Sequence, residues 1–247
     1  MVAGDILKYP EEGNTRILAM ADIVTAPSAY TLQGIADRIG PQAQVHSIPY
    51  GVDTRRFDVE HVADNDVFTI VARANTVRKG GHLVLEAILR CHQQWARAIH
   101  PRRLQIVILG SCEPQLAELY GQARRVGSIA VRDGDVPNAD VPALFARCDL
   151  LVMPTLSEGM SLACVEAMRA GVPLVITAYA GLDCFVDGEM GLRVEDSVES
   201  VGDAVTRVLT HPAQLERWRT NVREAAQGLT WGRYEAAIAA VATGCAT

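Results

Sequence analysis

Lysine is nearly missing from this sequence: of 23 basic residues only Lys8 and Lys79 are lysines, and the rest are arginines. A surplus of positive charge is missing too. The formal net charge is -6, so bulk electrostatics leave no footprint for nucleic acid and give no indication of an anionic membrane surface. The six cysteines (Cys91, Cys112, Cys148, Cys164, Cys184 and Cys245) form no C-x-x-C pair and follow no regular spacing. That argues against a zinc knuckle and against a disulfide scaffold, and predicts reduced, mostly buried thiols. No G-x-G-x-x-G opens a helix, which excludes a nicotinamide dehydrogenase. No apolar run approaches the roughly 18 to 20 residues that a membrane-spanning helix needs. The opening MVAGDILKYPEEGN lacks a basic stretch followed by an apolar one, so no signal peptide is expected. These absences together predict a soluble, cytoplasmic protein.

What is present is an ordinary core-forming composition. The chain has 247 residues, 49% hydrophobic and 21% charged, enough for one large α/β domain with a fragment of another. Short apolar runs alternate with helical patterns, the signature of βαβ units around a parallel sheet. Strands are expected at Val67–Ala72, Leu104–Leu109, Ser128–Val131, Leu150–Met153, Pro173–Thr177 and Gly191–Val194. Helices are expected at His82–Ile99, Gln115–Arg124, Val141–Arg147, Ser161–Ala170 and Val201–Leu209, with a last one at Trp231–Ala242. The fold class is therefore α/β, a Rossmann-like parallel sheet flanked by helices. Residues 1–48 read as one strand (Asp22–Ala26) with two helices (Thr15–Ala21 and Tyr30–Ile39), too little to bury a core alone. We divide the chain into 1–48, the tail of an earlier domain; 49–228, the main domain; and 229–247, a terminal helix.

Two stretches carry chemistry. Val71 through Gly81 leaves the first strand of the domain and enters a helix, where open parallel sheets bind ligands. Arg73 offers a planar fork to phosphate oxygens and Lys79 a mobile point charge, while Gly80 and Gly81 let backbone approach closely. Taken alone, the loop reads equally well as two solvated surface cations. Lys79, however, is the only lysine in the main domain. The second stretch, Met153 through Met168, again runs from strand through loop to helix. The amides of Gly159, Met160, Ser161 and Leu162 stand near the helix start, where unsatisfied N–H groups favour phosphate or sugar oxygens. Glu158 and Glu166 add carboxylates able to accept hydrogen bonds from sugar hydroxyls. Helix grammar alone reads them as a helix-start acid and a surface residue.

Together these residues resemble the family-4 retaining glycosyltransferases of the GT-B fold. Glu158 and Glu166, in the setting E-G-M-S-L-A-C-V-E-A-M, look like the family's E-x7-E motif, and Arg73 with Lys79 looks like its R-x5-K pair. Ile48 through Asp53 resembles the interdomain joint, with Tyr50 in place of the usual Asn. Ala170 through Val175 resembles the A-x-G-x-P-V-V strand entry, and Thr230-Trp231 the start of the crossover helix. Ser161 stands where Gly or Pro is common. The resemblance implies the C-terminal half of a GT-B fold, with Arg73, Lys79 and Glu158 catalytic. It further implies donor binding by Gly159, Met160, Ser161, Leu162 and Glu166, with Glu166 on the ribose, and a nucleobase seat at Gly134-Asp135-Val136. No metal or other cofactor is expected; the substrate is a nucleotide-diphosphate sugar.

The family's acceptor domain would precede this chain, either in a longer product or as a separate partner chain. The reading that follows is transfer of a hexose with retention. The alternative is a non-catalytic nucleotide-sugar-binding module. Membrane association is left open, since it would reside in the missing half.

Overall fold

The computed structural model describes residues 11–244. Lys8 and Cys245 therefore lie outside the described residues. The main sheet is built from β3 (Val67–Ala72), β4 (Arg103–Leu109), β5 (Ala130–Gly134), β6 (Leu150–Met153), β7 (Leu174–Ile176) and β8 (Gly191–Arg193). They lie in the order β5-β4-β3-β6-β7-β8, and every pairing is parallel. Strands buried on both faces must be apolar throughout, as Leu150–Met153 is. In β3 the two-residue period divides the side chains between two cores. Phe68, Ile70 and Ala72 join one with Trp95 and Val208, and Val71 joins the other with Phe145 and Met168.

The first core is covered by α4 (Gly81–Ile99), α5 (Ala117–Ala123) and α8 (Val198–Thr210). The second is covered by α6 (Val141–Ala146) and α7 (Leu162–Arg169). A further helix, α9 (Leu215–Ala226), gives Trp218 to the first core and Val222 and Ala226 to the second. α9 is not among the helices expected from the sequence, because arginine and glutamate interrupt its apolar stripe. The helix expected at Gln115–Arg124 splits into a 3-10 turn (Pro114–Leu116) and α5. The strand expected at Ser128–Val131 begins later, at Ala130, because Gly127 (φ +69°) and the Ser128 amide bonded to Val126 O form a turn first.

The segment before the sheet holds α1 (Glu11–Met20), β1 (Ile23–Ala26), α2 (Ala29–Ile35) and β2 (Gln44–Ser47). β2 is a second strand, parallel to β1, where one strand was expected. Its side chains are mostly exposed, so no apolar alternation announces it. Among the described residues of this segment, only Leu18, Val24 and Ile35 form a buried apolar cluster. The segment leans on the main domain instead. The hydroxyls of Ser28 and Thr31 both donate to Gly159 O, the latter at 3.0 Å, and Ala29 N donates to Asp183 Oδ2 at 2.8 Å.

The joint follows. Asp53 caps a single-turn helix, α3 (Thr54–Phe57), by accepting from the amides of Arg55 and Arg56. Val52 N donates to Leu229 O at 3.0 Å, which ties the joint to the start of α10 (Trp231–Ala242). Tyr50 packs its ring 6.2 Å from Trp231 and 5.8 Å from Tyr234, so the departure from Asn completes an aromatic cluster.

Candidate active site

In a doubly wound sheet, ligands bind beyond the carboxyl ends of the strands where the winding reverses. Here the reversal lies between β3 and β6. At that edge opens a cavity of about 460 Å³, lined from the ends of β3, β4, β5 and β6. Arg73 and Lys79 come from the first of these, Leu109 and Gly110 from the second, and Asp135, Val136 and Asn138 from the third. Glu158, Met160, Ser161, Leu162 and Glu166 come from the last. The four charged residues singled out in the sequence thus converge on one hollow. Gly159 is not on its wall; its carbonyl instead receives the Ser28 and Thr31 hydroxyls.

Three of the four charged groups, Lys79, Glu158 and Arg73, are held by neighbours that fix their direction. Lys79 Nζ donates to Glu158 Oε1 at 2.7 Å, and Arg78 Nη1 reaches the same oxygen at 3.0 Å. Arg78 was not singled out in the sequence, although it adjoins Lys79. An ammonium has three donors, so Lys79 keeps two beyond this contact. Arg73 Nη1 donates to Leu109 O at 2.6 Å and to Asn75 Oδ1 at 3.1 Å. This packing requires Gly110, where φ is +98° and an added Cβ would lie 2.6 Å from Arg73 Nη1. Behind the loop, Glu113 accepts from Val77 N at 2.9 Å, and Glu113 N donates to Asn75 O at 2.8 Å. Those supports come from distant sequence, and only the fold reveals them.

Glu166, half-buried on α7, has its carboxyl raised above the ordinary range by burial; the charges of Arg56 and Arg73 pull the other way. Ser161 caps α7 by accepting from Cys164 N at 3.4 Å. Its own amide donates to Ala180 O at 2.9 Å, a correction to the expectation that all four amides face the ligand. The Gly159, Met160 and Leu162 amides have no backbone acceptor among the described residues. Cys148 and Cys164 are buried with thiols pushed up to about 12 by desolvation, while Cys91, Cys112 and Cys184 are half-buried; none of these five forms a disulfide. Among the described residues no three His, Cys, Asp or Glu side chains gather as a metal site. None of the described helices is long and apolar enough to cross a membrane.

A winding reversal that carries a cationic loop beside a carboxylate-bearing helix start defines the class, a Rossmann-like domain of GT-B type. Sucrose-phosphate synthase from Thermosynechococcus elongatus shares this fold with a TM-score of 0.78 at 21% identity, over 98% of this chain and 64% of that one. The chain belongs to the family described as Glycosyl transferases group 1, whose model matches residues 65–211. It is 29% identical over 237 residues to the MMP alpha-(1->4)-mannosyltransferase of Mycolicibacterium hassiacum, covering 90% of this chain and 55% of that protein. It is 28% identical to the GDP-mannose-dependent alpha-(1-6)-phosphatidylinositol monomannoside mannosyltransferase of Mycolicibacterium smegmatis, covering 87% and 64%. The chain thus spans between half and two thirds of the length of these curated relatives.

Proposed function

We propose that the chain binds the donor in a retaining hexosyltransferase that uses a nucleotide-diphosphate sugar. One observation carries this reading: Arg73, Lys79, Glu158 and Glu166 line a single cavity at the winding reversal. In the proposed pose Arg73 and Lys79 take the diphosphate, and their charge stabilises the pair of electrons that leaves with it. Glu158, with one oxygen bound to Lys79, turns the other to hydroxyls of the hexose. Glu166 accepts from the ribose. The amides of Met160 and Leu162 face sugar and phosphate, Gly159 stands behind them off the cavity wall, and Ser161 acts through its cap. Val136 lies at the nucleobase end. Because the cationic pair itself neutralises the departing diphosphate, the reading assigns no role to a metal.

Both relatives are named as transferases, which supports transfer over binding alone. Transfer also requires an acceptor held in place, and we assign that task to a further domain, in the same product or in a partner chain. The proposed setting is the cytoplasm, supported by five described cysteines that form no disulfide.

Calorimetry with GDP, UDP and ADP tests the donor site. At least one is expected to bind, and Lys79→Ala and Glu166→Ala are each expected to weaken it by about tenfold to a hundredfold. No heat with any of the three, or unchanged affinity in both variants, rejects the pose.

A further inference from the structure

Asp135 is a charged residue in the cavity that the proposed pose leaves without a task. It follows β5 directly, beside Val136, at the end of the hollow away from Lys79 and Glu158. β5 lies two strands from β3, hence about 10 Å along the carboxyl edge. That separation suits the ribose and phosphate that part a nucleobase from the far end of its diphosphate. The walls at this end include Leu109, Val136 and Val141, apolar side chains that suit a flat ring.

The carboxylate is aimed before any ligand arrives. Ser111 N donates to Asp135 Oδ1 at 3.1 Å, and Ser111 Oγ donates to Asp135 Oδ2 at 2.7 Å. Each carboxylate oxygen accepts about two hydrogen bonds, so each keeps one site after Ser111 is served. The loop itself is pinned by Arg56, whose guanidinium donates to Asn138 O at 2.5 Å. What remains is a fixed pair of adjacent acceptors with no donor between them.

The bases differ in what they can offer such a pair. Guanine presents N1–H and the 2-amino group side by side, two donors for two acceptors. Uracil presents N3–H between two carbonyl oxygens, which a carboxylate repels. Adenine presents its amino group beside the N1 lone pair, again one donor next to one acceptor. We infer that Asp135 reads guanine, so that the donor is a guanosine-diphosphate hexose. This rests on the donor-site reading above and deepens it.

The test is calorimetry of the full chain with GDP, inosine diphosphate, UDP and ADP, repeated on Asp135→Asn. The wild type is expected to prefer GDP to UDP and ADP by at least about tenfold. Inosine diphosphate, which lacks only the 2-amino group, is expected to bind about tenfold more weakly than GDP. Asp135→Asn is expected to erase the preference by weakening GDP while UDP, freed of the carboxylate's repulsion, binds at least as tightly as to the wild type, which also shows that the variant folds. Binding of all four without preference for GDP, equal affinity for GDP and inosine diphosphate, or a preference that survives Asp135→Asn overturns this inference and leaves the donor site standing. Failure of all four to bind overturns both.

Discussion

Glu166 shows how one residue can serve the ligand at the expense of the fold. Its carboxyl is half-buried, and among the described residues none forms an ion pair with it or donates a hydrogen bond to it. Burial raises its pKa, so the folded chain holds that proton more readily than the unfolded chain does. Stability from this group is therefore fully present below the ordinary carboxylate range and is lost as pH rises through the elevated folded value. At neutral pH the ionised side chain is a cost. Glu166→Gln removes the charge, and is expected to raise the melting temperature of the ligand-free chain by about 2 °C at pH 7. The gap should close near about pH 4, where the wild-type carboxyl is protonated as well. Thermal melts of both proteins across pH check this; a gap that widens in acid refutes the assignment. That Glu166 belongs to the cavity came from the resemblance of its setting to the E-x7-E motif, since helix grammar alone reads it as a surface residue. Its burial was not legible in the sequence, because burial depends on how α7 sits against the sheet.

Among elements, the strongly apolar ones were readable and those with an interrupted or exposed pattern were not. Val67–Ala72 and Leu150–Met153 are found as read, since a run buried on both faces has little competing interpretation. β2 was missed, for its identity as a strand comes from β1 beside it rather than from its own pattern. The loops between strand and helix carry their shape in glycine. Gly80 has φ +75°, and an added Cβ there would lie 2.1 Å from Pro154 O, a backbone atom of the adjoining β6 loop. Gly80→Ala therefore meets both left-handed strain and a collision that no side-chain rotation relieves. It is expected to cost at least ~2 kcal/mol of stability and to weaken nucleotide binding along with it, because Lys79 and Glu158 sit on the two loops that collide. Chemical denaturation with calorimetry checks both halves. An alanine variant of wild-type stability and affinity would show that the loops yield freely.

At the scale of the whole molecule, the question is what holds residues 11–48 in place. Among the described residues their own buried cluster is three side chains, and a two-stranded parallel ladder is not a stable unit in water. The buried polar attachment to the main domain converges on one carbonyl. Ser28 and Thr31, both buried, aim their hydroxyls at Gly159 O, on the loop that carries Glu158 on one side and Met160 on the other. The same contact orders the site and anchors the segment, which couples them: whatever loosens one loosens the other. The paired change Ser28→Ala and Thr31→Ala leaves that carbonyl without either donor, a loss of about 1–3 kcal/mol. The expected result is faster proteolytic cleavage in the stretch from Tyr30 to Ile48, with the sheet domain surviving as a resistant core. Bound nucleotide should slow that cleavage in the wild type, since a ligand that orders the loop bearing Glu158 also orders its anchor. Cleavage that is indifferent to both the double substitution and the nucleotide would mean that the segment is held elsewhere, by Ala29 on Asp183 or by the stacking of Tyr30 on Tyr179, and that site and segment are independent.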